Sequence, residues 1–468
     1  MLSYNKGIVT SIKYSVNPSE DKYTILSKKT FFAIKNSYTL NLGDIVESED
    51  FGSKPIRIVN SMQKPFYEEL IQERIKEIYN DANIKNVKTN YESSKLNSVI
   101  KMLPLLDKIA QTLLRAIITN TPIVVRFHND GDGASGALAL YKAIKSIEPK
   151  VGIPASVSWR MSRGIAYLMD DFNGDEVFFN GFKSIEKPII LIIDFGTNPE
   201  SEKGLIAAKK YNTIIIDHHI LYDGFDSIKP ELYINPWNFG SNSNFTAGAL
   251  AAILAELVSN LDLNIFEKAS FISDFSSFAS FEAGSKHEKI AVVLDYLTSA
   301  RKGSGKQIAP PYIDSIISND DLLQNTYLHA KNLMADSIDA GLRSVKTYQS
   351  SLATIHVLNF EDIKNNNDYP LPGRFSSALQ QKFEELDNQK SITIVYYGNF
   401  ISVRISKSIS ERADILSKIN NLKIETNGLV TGGGHKEAVS IKAGEENIRK
   451  ILKRLLFLFG VRIDETYI

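Results

Sequence analysis

The stretch IVVRFHNDGDGASGALA, residues 123–139, decides the fold of this chain. Its opening apolar run predicts a buried strand, and the small residues from Gly133 onward predict a helix packed close behind it. The turn between them places His128, Asp130 and Asp132 at alternating positions, and its glycines allow a tight backbone. An imidazole and two carboxylates crowded at the carboxyl end of a strand favour a divalent cation among them. The turn is therefore interpreted as half of a metal site.

The composition is ordinary for a globular protein and excludes several kinds of site. The chain has 468 residues, 43% hydrophobic and 23% charged, which predicts about three domains with real cores. It has no cysteine, so disulfides, thiol nucleophiles and Cys-bound zinc are excluded, and a metal must be held by His, Asp or Glu. Basic and acidic residues both number 54, so overall charge does not support a nucleic-acid partner and any basic groove would be local. With neither a signal peptide pattern nor a membrane-spanning apolar run, a cytoplasmic location without a membrane partner is the default expectation.

The N-terminal part predicts a small β domain followed by helices. Short alternating apolar and polar runs over residues 1–62 predict a small β-barrel that is similar to an OB-fold. A docking role and single-strand binding through aromatics such as Phe31, Phe32 and Tyr38 are both open for this barrel. Residues 63–120 have helical periodicity and are interpreted as a helical linker.

Residues 121–280 alternate predicted strands and helices, which indicates an α/β domain with a mostly parallel sheet. The predicted strands are Ile123 to Phe127, Val151 to Trp159, Glu176 to Phe179, Ile189 to Ile193 and Ile214 to Ile216. In such folds ligands bind beyond the carboxyl ends of the strands. Two further strands end there at Asp194 and Asp217, and His218 and His219 follow directly, while Asp274 follows a helical run. Taken singly, each Asp also fits a turn or helix N-cap.

The remaining chain predicts a connector and a smaller domain. Residues 281–348 are largely helical in pattern and are interpreted as a helical connector, and residues 349–468 predict a second, smaller α/β domain. Gly432, Gly433 and Gly434 let backbone N–H groups approach an anion closely, and His435 and Arg404 can donate hydrogen bonds to phosphates. A tight turn is the alternative reading of these glycines. Arg160, after the second predicted strand, is a further candidate by position alone, with a solvated surface role equally open.

Several motifs together carry a resemblance to a known family. HNDGDG, IIDFG, DHH and SDF, in that order, resemble the four motifs of the DHH phosphoesterases, and SVRIS and GGGH resemble the associated C-terminal domain of that family. The resemblance covers about 120–280 and about 350–468, and it is nearest to the RecJ-like single-strand exonucleases of archaeal type. It implies a DHH-type parallel-sheet domain followed by a smaller α/β domain that binds substrate.

The resemblance also implies site residues and cofactors. It implies two ions, Mn²⁺ or Mg²⁺, with His128 and Asp130 on one, Asp132, His218 and Asp274 on the other, and Asp194 bridging both. Asp217 would orient a histidine, and His219 would face the scissile phosphate. Two divalent ions suit phosphodiester hydrolysis because they activate water and offset charge on the attacking and leaving oxygens.

The function expected from these features is metal-dependent, single-strand-specific exonuclease activity on DNA or RNA, in DNA repair or replication. Two alternatives are open. One is a catalytically weak scaffold subunit of a replication or helicase complex, with protein partners of that kind. The other is a phosphoesterase acting on oligonucleotides, cyclic dinucleotides or polyphosphate.

Overall fold

The computed structural model describes residues 5–461 except 16, 18–19, 28–30, 36–39, 50, 52–53, 55, 61–63, 80–92, 163, 223, 281, 300–307, 364–368 and 387–389. The described residues form two compact units. The first contains those up to Thr298 together with residues 308–323, and the second begins at Gln324. The finer boundaries expected from the sequence, at 62, 120, 280 and 348, stay predictions. No helix in the described part of the chain is long and apolar enough to cross a lipid bilayer.

The first unit contains two sheets and the helices around them. Its strands are β1 (Asn5–Lys13), β2 (Lys22–Ser27), β3 (Phe31–Lys35), β4 (Ile45–Ser48), β5 (Arg57–Asn60), β6 (Ile123–His128), β7 (Val157–Ser162), β8 (Phe182–Ser184), β9 (Ile189–Ile193), β10 (Asn212–Ile216) and β11 (Leu232–Ile234). Its helices are α1 (Lys64–Ile78), α2 (Ser93–Ile118), α3 (Gly131–Val151), α4 (Met169–Phe179), α5 (Glu202–Ala208), α6 (Ala247–Ser259), α7 (Asn264–Ser273), α8 (Lys286–Ser299) and α9 (Pro310–Ile317).

The N-terminal strands form an antiparallel sheet in the order β3-β2-β1-β4-β5. The apolar side chains of Val9, Ile25, Val46 and Phe51 pack together as its core. Strand β8 joins this sheet by pairing antiparallel with the second half of β1. The predicted small β domain is confirmed as a sheet, and the β3–β5 pairing that would close it into a barrel does not occur among the described residues. Tyr38 lies outside those residues, and of β3 only the backbone is described.

The central sheet is parallel throughout, in the order β11-β10-β9-β6-β7. Its inner strands are almost wholly apolar and buried, as expected for a parallel sheet covered on both faces. Helices α3 and α6 pack against each other and against one face, and α4 and α5 contribute to the core on the other. The predicted α/β domain with a parallel sheet is thus confirmed, and the carboxyl ends of β6, β9 and β10 meet at one edge.

Two of the predicted strands are wrong: one is part of a helix, and the other begins later in the chain than predicted. Residues 176–179 form the end of helix α4, in which Phe172, Asp175 and Phe179 are the buried residues. Their spacing of three and four is helical, and a short apolar run alone does not distinguish the two structures. The strand expected from Val151 begins only at Val157, because α3 continues to Val151 and ends in a left-handed Gly152.

The second unit is a mixed sheet covered by helices. Helix α10 (Asp320–Ser344) contains the boundary between the units. The strands that follow are β12 (Lys346–Gln349), β13 (Thr354–Asn359), β14 (Ser391–Tyr397), β15 (Phe400–Ile405), β16 (Thr431–His435) and β17 (Ala438–Lys442), and the helices are α11 (Pro372–Leu386), α12 (Ile415–Glu425) and α13 (Ile448–Leu458). The strand order is β12-β13-β14-β15-β17-β16, with only β13 and β14 parallel. The expected smaller C-terminal α/β region is confirmed.

Candidate metal centre

The turn after β6 combines a helix cap with a histidine–carboxylate contact. Asp130 is the N-cap of α3, and its Oδ1 accepts a hydrogen bond from the Gly133 N–H at 3.0 Å. Its Oδ2 lies 2.6 Å from His128 Nδ1. The helix-cap interpretation of Asp130 and the ligand interpretation are therefore compatible, since each uses a different oxygen.

Asp194 directly follows β9 in a strained and buried position. Its backbone φ is +68°, in the left-handed region that costs a residue other than glycine about 1 kcal/mol or more. Its Oδ2 lies 3.4 Å from His128 Nδ1, and its Oδ1 lies 3.2 Å from His218 Nε2. Among the described residues, Oδ1 accepts no well-formed hydrogen bond although it is buried. A buried carboxylate oxygen in this state is typical of a metal ligand.

The two histidines after β10 are oriented by different partners. His218 Nδ1 lies 2.9 Å from the Ser243 carbonyl oxygen, which makes Nδ1 the donor and leaves Nε2 as a basic nitrogen toward Asp194. His219 Nδ1 lies 2.7 Å from Asp217 Oδ1. Asp217 is fully buried, and its Oδ2 accepts from the Thr197 hydroxyl at 2.6 Å. The Asp217 carboxylate is thus occupied by nearby donors, as expected of a residue that orients a histidine.

Asp132 is directed toward the start of α6. Its carboxylate accepts hydrogen bonds from the N–H groups of Ala247 at 3.2 Å and Gly248 at 2.9 Å, and from the Ser270 hydroxyl. A Cβ at Gly248 would lie 2.2 Å from the Asp132 carbonyl oxygen, so only glycine permits this approach. Toward the other candidate ligands, Asp132 Oδ2 lies 3.8 Å from His218 Nε2. The positive end of the α6 dipole favours the charged form of Asp132, but burial and the neighbouring charge of Asp194 raise the pKa of this carboxyl well above its usual value.

Some of the predicted ligands lie closer to one another than others do. Two groups of side chains have their ligand atoms within 4.8 Å of one another, and they share Asp194: His128, Asp130 and Asp194; and Asp194, His218 and His219. Asp274 lies at the same edge, with Oδ2 3.7 Å from His218 Nδ1. The second group contains His219, whereas Asp132 and Asp274, which the resemblance implied as ligands of that ion, belong to neither group. The assignment of individual ligands to individual ions stays a prediction.

Electrostatics at the centre reflect crowded carboxylates. Burial alone would lower the pKa values of His128 and His218, but the neighbouring aspartates outweigh it and raise both well above the usual value. Burial raises the pKa of Asp194, yet the interactions with His128 and His218 outweigh burial and lower it. Burial and the charge of Asp194 raise the pKa of Asp274 to about 6 in spite of His218. The donor set of carboxylate oxygens and imidazole nitrogens fits Mn²⁺ or Mg²⁺. Such a cation would offset the excess negative charge of the carboxylates.

One residue that sequence reasoning missed ties two ligand-bearing segments together. Asp295 on α8 is 3% exposed, and its Oδ1 accepts from the Gly131 N–H at 2.8 Å and from the Ser273 hydroxyl at 3.1 Å. Gly131 stands between two predicted ligands, and Ser273 precedes Asp274. No signal in the sequence marks Asp295, because it lies far along the chain in the segment interpreted as a connector.

Arg160 lies away from the carboxyl edge of the sheet. It stands opposite Arg126 in the β6–β7 register, and its Nη1 is 3.1 Å from Asp175 Oδ1. Its Nε donates to the Ser158 hydroxyl at 3.1 Å. These contacts engage it in a buried ion-pair cluster, and its role in substrate binding stays a prediction.

The candidate substrate residues of the second unit lie on β15 and β16. Arg404 donates to the Ser377 hydroxyl at 2.8 Å and to the Gly373 carbonyl oxygen at 3.1 Å, so it braces the start of α11. The φ angles of Gly432 and Gly434 are +154° and +145°, and a Cβ on either would lie within 2.3 Å of a backbone oxygen of β17. A Cβ on Gly433 would meet nothing within 4 Å. Of His435 only the backbone is described, and the anion-binding role of this strand stays a prediction.

Comparison with known families identifies the central part of the chain. Residues 122–276 match the model of the DHH family, N-terminal domain. An uncharacterized protein of Methanocaldococcus jannaschii is 25% identical over 412 residues, which cover 76% of this chain and 54% of that protein. The chain thus spans about half the length of the curated relative it matches.

Two solved structures are similar to this chain, and the first of them supports the fold. A structure described as the DHH domain of a member of a family of ribosomal proteins has a TM-score of 0.68 at 22% identity, covering 84% of this chain and 98% of that one. RecJ from Thermus thermophilus in complex with Mn²⁺ has a TM-score of 0.49 at 17% identity, covering 76% of this chain and 56% of that one.

Proposed function

We propose that this chain, a member of the DHH superfamily, is a metal-dependent phosphodiesterase that cleaves single-stranded nucleic acid from an end. The observation that carries the proposal is the pair of ligand groups that share Asp194, whose buried Oδ1 has no well-formed hydrogen bond within the described residues. Carboxylates and imidazoles at this edge fit two divalent cations, Mn²⁺ or Mg²⁺. When bound, such cations supply Lewis-acid polarisation of a phosphoryl oxygen and lower the pKa of water.

The chain's own residues would hold and orient the reacting groups. His128, Asp130, Asp194 and His218 would hold the cations, with Asp132 and Asp274 as further ligands. His219 would donate a hydrogen bond to a phosphate oxygen, because Asp217 holds its Nδ1 and raises its pKa against the lowering effect of burial. A protonated imidazole stabilises the negative charge that develops on phosphate oxygens.

Three substrate classes remain within this chemistry: DNA, RNA, and other phosphorylated compounds such as short oligonucleotides, cyclic dinucleotides or the phosphoanhydride chain of polyphosphate. We place single-stranded nucleic acid first, and assign its binding to Arg404 and the strand Gly432–Gly434 with His435 in the second unit. A role as a scaffold for replication or helicase proteins is the competing hypothesis, and it requires no cleavage.

The test uses the full chain with Mn²⁺ and single-stranded DNA and RNA oligonucleotides labelled at either end. We expect metal-dependent release of nucleotides, with the labelled end that is released first giving the polarity. Asp130→Ala should lower kcat/KM by more than about 100-fold. Loss of a residue that only hydrogen-bonds a metal ligand typically lowers activity about 10-fold to 100-fold, and loss of the ligand itself should lower it at least as much. Asp226→Ala is the matched control, because that carboxylate is 84% exposed and pairs only locally with Lys229.

Two outcomes would overturn the proposal. If wild-type protein leaves every oligonucleotide intact while still binding it, the scaffold hypothesis replaces the nuclease. If Asp130→Ala cleaves as fast as Asp226→Ala, the activity does not come from this centre.

A further inference from the structure

Two large aromatic side chains lie exposed beside the metal centre. Trp237 is 41% exposed and Phe275 is 51% exposed. Phe275 directly follows Asp274, and the Trp237 indole donates a hydrogen bond to the His218 carbonyl oxygen at 3.1 Å. Among the described residues of the first unit, only Tyr14 and Tyr312 are comparably exposed aromatic side chains, and neither adjoins a candidate ligand. Exposed rings next to a phosphodiester-cleaving centre indicate a ligand with flat apolar faces.

Phe275 has a strained backbone conformation. Helix α7 ends at Ser273, and Phe275 adopts a φ of +51° just after it. This left-handed position at a helix end normally holds glycine or asparagine, and a bulky side chain there costs about 1 kcal/mol or more. The Ser276 N–H closes the turn by donating to the Phe271 carbonyl oxygen at 2.9 Å. Backbone strain at a half-exposed aromatic residue is typical of a functional surface.

Trp237 is fixed to the backbone of the two histidines. It lies in a short 3-10 helix, Pro236–Phe239, directly after β11. Asn235 accepts from the Trp237 N–H at 3.1 Å and donates to the His219 carbonyl oxygen at 2.9 Å. The indole therefore needs little further ordering when a ligand arrives, which lowers the entropic cost of binding.

We propose that Trp237 and Phe275 are stacking surfaces for nucleobases, and that the centre accordingly selects base-bearing strands over polyphosphate. Stacking of one base on an aromatic side chain contributes about 1–3 kcal/mol and tolerates any sequence. This inference rests on the proposed function and adds the substrate class to it. The bases nearest the scissile phosphate would contact these rings, whereas an inorganic phosphate chain offers nothing for them to contact.

The kinetic test compares a dT oligonucleotide with an abasic strand of equal length. We expect Phe275→Gly to raise KM for dT about 10-fold to 100-fold, while KM for the abasic strand stays unchanged. Because glycine suits the left-handed backbone, the same variant should unfold at an equal or higher temperature, which a merely structural Phe275 would not allow. Trp237→Ala should act in the same direction, and Trp237→Phe, which keeps a ring, should act less. Tyr312→Ala is the matched control and should change neither substrate's KM.

A fluorescence test is independent of turnover. The chain has two tryptophans, and Trp159→Phe leaves Trp237 as the only one. We expect dT, added in EDTA, to quench its fluorescence and the abasic strand not to do so. Equal quenching by both strands, no quenching by dT, or an unchanged KM in Phe275→Gly would overturn the stacking surface. A wild-type protein that cleaves neither strand but shows selective quenching would overturn the proposed function and leave the stacking surface standing.

Discussion

Strand β6 carries two charged side chains two residues apart, Arg126 and His128, and each belongs to a buried cluster of charge. Arg126 Nε lies 2.8 Å from Asp175 Oδ2, and its Nη1 lies 2.6 Å from Asp171 Oδ1. Asp175 also accepts from the Tyr167 hydroxyl at 2.9 Å. Cations and carboxylates balance in this cluster, and the groups satisfy one another.

The cluster around His128 does not balance in the same way. Asp130, Asp132, Asp194 and Asp274 gather around two histidines, and a buried oxygen of Asp194 lacks a well-formed hydrogen bond among the described residues. The difference indicates that the Arg126 cluster is balanced by its own residues, whereas the candidate metal centre has an excess of carboxylates that a bound cation would offset. Both clusters contain buried charged groups, so burial does not distinguish the structural cluster from the functional one. The two clusters differ in whether their cations and carboxylates balance.

Removal of the shared ligand has the largest expected effect. Asp194→Asn keeps the size of the side chain and removes the charge common to both ligand groups. We expect Mn²⁺ to stop raising Tm and kcat/KM to fall by more than about 100-fold, since binding to the native state is the source of the Tm increase. Thermal unfolding with and without Mn²⁺ measures the first effect. A Tm increase equal to that of the wild type would show that Asp194 is no ligand.

Disruption of the balanced cluster should affect stability instead. Asp175→Ala leaves Arg126 buried without its main partner, which costs about 3–5 kcal/mol of unfolding free energy. Asp170→Ala, on the exposed side of the same helix, is the control. Urea unfolding measures the loss, and the Mn²⁺-dependent increase in Tm should persist in any variant that folds. A loss below about 0.5 kcal/mol, typical of surface substitutions, would contradict the structural role.

Glu256 is a buried carboxyl group of a third kind, for which the described residues provide no ion pair. It is 4% exposed, its Oε1 accepts from the Leu263 N–H at 2.9 Å, and burial, with the nearby charges of Glu267 and Asp262, raises its pKa to about 7. The folded state therefore holds a proton that the unfolded state releases near pH 4.5, so stability falls as pH rises from about 4.5 to about 7.

The pH dependence gives the third prediction. We expect the stability of Glu256→Gln relative to the wild type to improve by up to about 3 kcal/mol between pH 5 and pH 8. Urea unfolding of both proteins at the two pH values measures it. A difference that does not change with pH would mean that Glu256 titrates normally.

The smallest expected effect is at Asp295, whose hydrogen bonds to the Gly131 N–H and the Ser273 hydroxyl hold two ligand-bearing segments together. Asp295→Ala should weaken Mn²⁺ binding about 10-fold to 100-fold, as measured by isothermal titration. Asp295→Asn should recover part of the affinity, because its amide oxygen still accepts from the Gly131 N–H. Asp320→Ala, at a carboxylate that is 83% exposed, is the control. Equal affinities in all three variants would restrict Asp295 to a packing role.

The sequence predicts which candidate ligands lie close together best where these residues follow strands directly. Parallel strands bring their carboxyl ends to one edge, so the positions of His128, Asp194 and His218 along the chain already imply proximity. The direction of each carboxylate depends on tertiary packing instead. Asp132 is drawn to the start of α6 by N–H groups more than a hundred residues away, and Asp295 enters from a segment that no motif marks.

The misplaced elements have a similar cause. Residues 176–179 contain an apolar run that fits a strand or a helix, and only the packing of Phe172 and Phe179 on the sheet selects the helix. Arg160 is a candidate from the sequence because it directly follows the second predicted strand, but its partner Asp175 lies on that same helix. The sequence places Arg160 near a sheet edge, and the fold pairs it with Asp175.

The pairing of β8 with β1 has a consequence for folding and for truncation. Residues 11–13 of the N-terminal sheet pair with residues 182–184, so this sheet is complete only after a large part of the central domain has been synthesised. Contacts so distant in sequence form slowly, and until they form the second half of β1 presents an unpaired edge on one side. A fragment that ends near residue 62 would keep that edge permanently, which makes such a fragment prone to aggregation.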